Sequence, residues 1–180
     1  GDIGKAVAGD YLKAHEAGRQ MVSEADSAYI EEKADLVVVS AGGYPKDIDL
    51  YQASKALINA KEAVKKGGTI ILLAECIEGF GGEEVQKIMG DFNDNYSREK
   101  ALRENFSVAK YSGYLITVIA ENFKVILVSS LDRSLLKDTG IIAAGSIQEA
   151  MDIAELKGGM KAYYMPHGAN TLPRLSRKHE

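Results

Sequence analysis

The run Ala34-Asp35-Leu36-Val37-Val38-Val39-Ser40-Ala41-Gly42-Gly43-Tyr44-Pro45-Lys46-Asp47-Ile48-Asp49-Leu50-Tyr51-Gln52-Ala53-Ser54-Lys55-Ala56 decides the fold. It opens with a short apolar, β-branched stretch lacking polar alternation, the pattern of a strand buried on both faces of a parallel sheet. Gly42-Gly43 and Pro45 end that strand, and a helical pattern starts at Asp49. Strand, loop and helix in this order put the loop at the strand's carboxyl end, where open α/β sheets bind ligands.

Working outward, Leu50, Ala53, Leu57, Ala60 and Val64 recur at three- and four-residue steps and predict one buried helix stripe, stopping at Lys65-Lys66-Gly67-Gly68. Lysines in a last turn suit the negative end of the helix dipole. Thr69 to Ala74 reads as a second buried strand, so 36 to 74 forms one right-handed βαβ unit. Upstream, residues 11 to 33 have helical spacing, with Tyr11, Leu12, Met21 and Val22 on apolar faces. Downstream, Val85, Ile88, Met89 and Phe92 fit short helices over 82 to 105, and Val108, Tyr111, Leu115, Val118 and Ile119 fit a longer one. Lys124 to Ser129 predicts a third strand, Ser146 to Leu156 a helix capped by Ser146 with Glu149 three on, and Ala162 to Met165 a last short strand. Alternating strand and helix implies an α/β fold of three layers, a mostly parallel Rossmann-like sheet with helices on both faces. The expected organisation is a helical lead-in over 1–33 and an α/β domain over 34–175.

Composition narrows the function classes. At 180 residues, 46% hydrophobic and 27% charged, the chain suits one globular body with a full core. A net charge of -4 argues against a nucleic-acid partner, because phosphate binding needs clustered Lys and Arg. Arg174, Arg177 and Lys178 make the one basic cluster, which reads as a solvated tail. No window is apolar enough for a membrane span and no signal pattern opens the chain, so no membrane partner is expected. A single cysteine, Cys76, fits a reducing cytoplasm. The start at Gly1 without Met reads as a domain cut from a longer protein.

Gln52 and Lys55 are the leading site candidates. At about 100° per residue they stand roughly 60° apart, on the side of the 49 to 64 helix away from its apolar stripe. Two readings stay open. The pair grips one small anionic group, helped by the positive helix N-terminus; or Gln52 completes a capping box begun by Asp49 and Lys55 is a solvated surface lysine. Tyr51 shapes a pocket or forms a half-buried rim. Gly42, Gly43, Tyr44 and Pro45 line a ligand or merely make the turn, and Lys46 and Asp47 reach a ligand or solvate the loop. Glu75 and Glu78, after the second strand, read as solvated loop acids on the same edge as the clamp. Gly42 to Pro45, Gln52, Lys55 and the 75–82 loop are thus expected on one face. Cys76 reads as a small buried hydrophobe, since no neighbouring His completes a nucleophilic pair. His15, His167 and His179 lack the spacing of a metal site, and His167 stands beside the cleft as a structural or exposed residue.

Four stretches also carry a resemblance: Ala8-Gly9-Asp10-Tyr11-Leu12-Lys13-Ala14-His15-Glu16-Ala17-Gly18, the Ser40 to Ala56 segment with Tyr51-Gln52-x-x-Lys55, Leu73-Ala74-Glu75-Cys76-Ile77-Glu78-Gly79, and Met165-Pro166-His167-Gly168-Ala169-Asn170-Thr171-Leu172-Pro173. In this order they resemble the C-terminal domain of the nickel-pincer-nucleotide-dependent lactate racemase family, a group of 2-hydroxy-acid racemases and epimerases. The resemblance implies that Gln52 and Lys55 hydrogen-bond the hydroxy acid, and that hydride passes between substrate and a nickel-pincer nucleotide. It implies too that the general bases, the cofactor-tethering lysine and the nickel-ligating histidine lie in an N-terminal domain outside this chain. The fragment alone is then expected to be inactive and to hold no cofactor tightly; its partners would be a small 2-hydroxy acid and its own N-terminal domain. Two other classes stay open, a Rossmann-like phosphate- or nucleotide-binding module and a non-catalytic interaction domain, although no G-x-G-x-x-G or P-loop pattern is present.

Overall fold

The computed structural model describes residues 3–176. Seven strands and six α-helices follow in the order α1 (Tyr11–Asp26), β1 (Ser27–Ile30), β2 (Ala34–Ser40), α2 (Leu50–Ala60), β3 (Val64–Leu73), α3 (Glu83–Gly90), α4 (Asn95–Glu104), α5 (Val108–Asn122), β4 (Lys124–Val128), β5 (Ile141–Ala144), α6 (Ile147–Ala154), β6 (Ala162–Met165) and β7 (Leu172–Leu175). A five-stranded sheet of order β5-β4-β3-β2-β6 is parallel throughout. Strand β2, inside the sheet next to its edge strand β6, pairs Val37 with Ile70 of β3 on one side and with Tyr163 of β6 on the other.

Side chains alternate across a strand, so each buried run feeds two cores. Val37, Val39, Ile70, Leu72, Val125 and Leu127 face Leu50, Ala53, Leu57, Val85 and Ile116 of α2, α3 and α5. Leu36, Val38, Ile71 and Ile126 face Ala150 and Ala154 of α6. This is the expected three-layer α/β fold with helices on both faces. Among the described residues, no helix is long and apolar enough to cross a membrane.

Several elements differ from the sequence reading. The first helix stops at Asp26, and Ser27–Ile30 becomes β1, paired in parallel with β7 as a separate two-stranded sheet. Its partner is so distant in sequence that local periodicity carries no trace of it. Helix α2 ends at Ala60, so Val64 opens β3 and does not close the helix stripe. Lys65 to Gly68 are a bulge in β3, with Ala34 opposite Val64 but Leu36 already opposite Thr69. Gly67 takes φ +74 there, and a Cβ on Gly68 would stand 2.8 Å from the Asp35 carbonyl. The glycines that looked like a helix stop are the backbone requirement of that bulge. Strand β5, four residues long, is absent from the sequence reading. Arg177, Lys178 and His179 lie outside the described residues.

Two packing constraints hold the helical layer. The guanidinium of Arg98, 4% exposed, donates to the carbonyls of Ile88, Met89, Phe92 and Asp138, tying the end of α3 to α4 and to the segment before β5. Gly113 of α5 lets α3 approach: a Cβ there would stand 2.5 Å from Ile88 Cγ2 and 3.1 Å from the Val85 carbonyl. Gly113→Ala is therefore expected to destabilise the domain by about 1–3 kcal/mol, as overpacking does. At roughly 2–4 °C per kcal/mol for a chain of this size, calorimetry should read a fall in Tm of about 2–12 °C.

Candidate functional site

Because the sheet is parallel, the loops after β2, β3, β4 and β6 all open on its carboxyl edge. The first two are joined by backbone hydrogen bonds. Cys76 N–H donates to the Asp47 carbonyl at 2.8 Å and Glu78 N–H to the Ile48 carbonyl at 2.9 Å. The first two amides of α2 answer in the opposite sense, Leu50 N–H to the Gly79 carbonyl at 3.0 Å and Tyr51 N–H to the Phe80 carbonyl at 3.2 Å. The 41–49 and 74–82 loops are therefore one unit on one edge, as expected.

This stitching corrects one expectation. The amides of Leu50 and Tyr51 go to the second loop, Gln52 N–H donates to Asp49 Oδ1 at 2.6 Å, and Ala53 N–H to the Asp49 carbonyl at 3.0 Å. The free donors that make a helix N-terminus an anion site are already taken, and a buried aspartate stands beside them. An anion at the start of α2 must be held by side chains.

Those side chains are present. Lys55 Nζ donates to Gln52 Oε1 at 2.6 Å on the outer side of α2, with Lys55 exposed and Gln52 half-buried. Asp49 caps the helix as the capping-box reading requires, but the Gln52 side chain completes no box: its oxygen turns to Lys55. One ammonium and one amide thus stand together on a helix face, a cation with an adjustable donor and acceptor. Tyr51 is half-buried, its ring packed against the main core.

The other candidates sort by their contacts. Gly42, at φ +109, donates its N–H to Ser40 Oγ, and Gly43, at φ +76, accepts from Lys46 N–H at 2.8 Å, so both glycines serve the turn. Tyr44, 80% exposed, and Pro45 stand out from the loop. Lys46 Nζ donates to Asn170 Oδ1, which fastens the loop to the closing motif, and Asp47 contributes the carbonyl noted above. Glu75 and Glu78 are exposed, and the Glu75 carbonyl accepts from Ser130. His167 is exposed, with its carbonyl taken by Asn170 and Thr171; His15 is exposed on α1, and His179 is outside the described residues. Among the described residues no group of three His, Cys, Asp or Glu side chains is placed to hold a metal.

The sequence reading passed over Asn59 and Asn170. Asn59, one turn after Lys55, donates to the Gly168 carbonyl at 2.8 Å. Both asparagines line a groove of about 290 Å³ beside Lys55, with Val22, Asp26, Ile58 and Leu172. The four-residue step from Lys55 to Asn59 was the available signal. Gly168 itself is a packing residue: a Cβ on it would stand 2.2 Å from Val39 Cγ2 and 2.9 Å from the Ala56 Cβ.

Comparison with known proteins agrees with this architecture. Residues 30–169 match the family model of the lactate racemase C-terminal domain. The chain is 33% identical over 179 residues to a lactate racemase of Thermoanaerobacterium thermosaccharolyticum, covering 96% of this chain and 42% of that protein. It is 31% identical to a lactate racemase of Lactiplantibacillus plantarum, covering 93% and 41%. The solved lactate racemase apoprotein from T. thermosaccharolyticum superposes with a TM-score of 0.80 at 31% identity, over 90% of this chain and 40% of that one. A protein from Thermotoga maritima, at TM-score 0.60 and 17% identity, shares the fold. The chain belongs to the lactate racemase C-terminal domain family, and it spans about two fifths of the length of these relatives.

Cys76 completes the edge as a buried thiol, 1% exposed, at φ +54. Burial, reinforced by the carboxylates of Asp49, Asp47 and Glu75, pushes it up to about 12. The thiolate is the reactive form, so Cys76 is no nucleophile at neutral pH. A chromogenic disulfide reagent at pH 8 should leave the native protein unlabelled and titrate one thiol after unfolding in guanidinium chloride; rapid native labelling would contradict the burial.

Proposed function

We propose that this domain is the substrate-closing part of a 2-hydroxy-acid racemase or epimerase, with Lys55 and Gln52 as its substrate-binding residues. The observation that carries the reading is the Lys55–Gln52 pair on α2, beside the joined loops of the carboxyl edge, within a family whose similar members are named lactate racemases. Lys55 supplies a charge partner for the substrate carboxylate. Gln52 orients it, the amide oxygen steadying Lys55 while the amide nitrogen remains a donor toward the ligand. Tyr51 takes the lesser part of fixing the turn that carries Gln52, and Gly42 to Pro45, Glu75 and His167 stand as outer lining of the same edge.

The described residues do not fit a nickel-pincer nucleotide. They offer no cluster of metal donors, and their histidines are exposed and scattered. Cofactor, hydride acceptor and general bases belong in this proposal to the remainder of a longer protein, against which this edge closes; this domain binds and orients. Binding without acid, base or hydride acceptor turns nothing over, so we expect the isolated chain to be inactive. One cysteine, buried and free, supports a reducing compartment, the cytoplasm.

The occupied amides of the first turn of α2 count against the phosphate-binding alternative, which depends on exactly those donors being free. A non-catalytic interaction domain would require nothing of Gln52 or Lys55. The test is therefore mutational, in the longer protein loaded with its cofactor. Losing a charge-assisted bond of about 1.5–3 kcal/mol, Lys55→Ala should lower kcat/KM for lactate or a similar 2-hydroxy acid by one to two powers of ten. Gln52→Ala should cost less, and neither should move Tm by more than about 2 °C, since both side chains lie outside the core. Unchanged kcat/KM in both variants would sink the clamp.

A further inference from the structure

We propose that Asp49 and Gly81 are positioning residues, which act together through the first turn of α2 to aim Gln52 and Lys55. The inference rests on the clamp reading and adds to it the element that fixes its geometry. Asp49 is 8% exposed, and its Oδ1 holds Gln52 N–H at 2.6 Å. Gly81 lies against the other side of that carboxylate. A Cβ there would stand 2.6 Å from Asp49 Cγ, 2.7 Å from Oδ1 and 2.8 Å from Oδ2, and the residue sits at φ +81.

The second loop must come this close, because the carbonyls of Gly79 and Phe80 receive the amides of Leu50 and Tyr51. With the loop pinned on one side and the carboxylate on the other, the space at residue 81 has room for hydrogen only. A methyl group would displace Asp49 from Gln52 N–H or lift the loop from Leu50 and Tyr51. Either movement loosens the turn that carries Gln52. Lys55 shares the disturbance, because its Nζ is bonded to Gln52 Oε1 at 2.6 Å. Gly82, by contrast, has open space where its Cβ would be, so the close approach is particular to residue 81.

A helix cap that served folding alone would change Tm and leave substrate affinity untouched. Positioning predicts a different signature in the cofactor-loaded longer protein. Gly81→Ala and Asp49→Ala should each raise KM for a 2-hydroxy acid by about 5–20-fold, with a smaller change in kcat. Asp49→Asn keeps an oxygen to accept from Gln52 N–H and should recover KM to within about 3-fold of the parent. On a Lys55→Ala background Gly81→Ala should add less than about 2-fold, because residues that act through one another are not additive.

Gly81→Ala without effect on KM, while Lys55→Ala raises it, overturns the positioning role and leaves the clamp standing. Equal effects of Gly81→Ala with and without Lys55 overturn it as well. Lys55→Ala and Gln52→Ala both without effect on kcat/KM remove the clamp, and with it the premise. Should Gly81→Ala fail to fold, the comparison of Asp49→Ala with Asp49→Asn decides: recovery of KM by Asn supports positioning, and equal KM values refute it.

Discussion

Pairing of β2 on both edges and burial on both faces is the constraint from which the rest follows. A strand so enclosed must be apolar where it is covered, here Leu36 to Val39, and in a parallel sheet its neighbours must return by crossovers that leave their loops on the same edge. The crossover from β2 to β3 is α2, so the helix that carries Gln52 and Lys55 begins where the other loops gather. Its first turn then has four amides to satisfy. That two of them turn to Gly79 and Phe80 makes the site a property of two loops rather than of one helix.

How much of this was legible in the sequence depended on how far apart the interacting residues are. The β2 run and the α2 stripe are local patterns, the first legible from its unbroken apolar residues and the second from its helical period. Asp49 was legible as a cap too, since its acceptor and its donor are three residues apart. What stayed hidden was nonlocal: β1 against β7, the bulge at Gly67 and Gly68 that only its pairing with Asp35 explains, and the capture of the α2 amides by a loop some thirty residues on. Each was misread in the direction of the nearest local rule. Lysines before Gly-Gly looked like a helix end, and an unclaimed helix N-terminus looked like an anion site.

The candidate site shows the same division. Residue type and helical spacing left Gln52 and Lys55 open to a clamp or a capping reading, the resemblance favoured the clamp, and the structure places the two in contact. The step from Lys55 to Asn59 put Asn59 on the same helix face, but nothing local indicated that Asn59 and Asn170 fasten the segment after β6 beside them, because those contacts span more than a hundred residues.

Gly168 bears on how relatives of this domain should be interpreted. It lies in one of the stretches by which the family is recognised, yet its glycine is demanded by Val39 and Ala56 pressing on it, with no call from chemistry. Selection for folding alone would preserve it. A descendant that had exchanged Gln52 and Lys55 for other residues would keep this part of the signature and still be gathered into the family. Membership therefore certifies the scaffold, and on the clamp proposal the question of function is put to the two positions on α2.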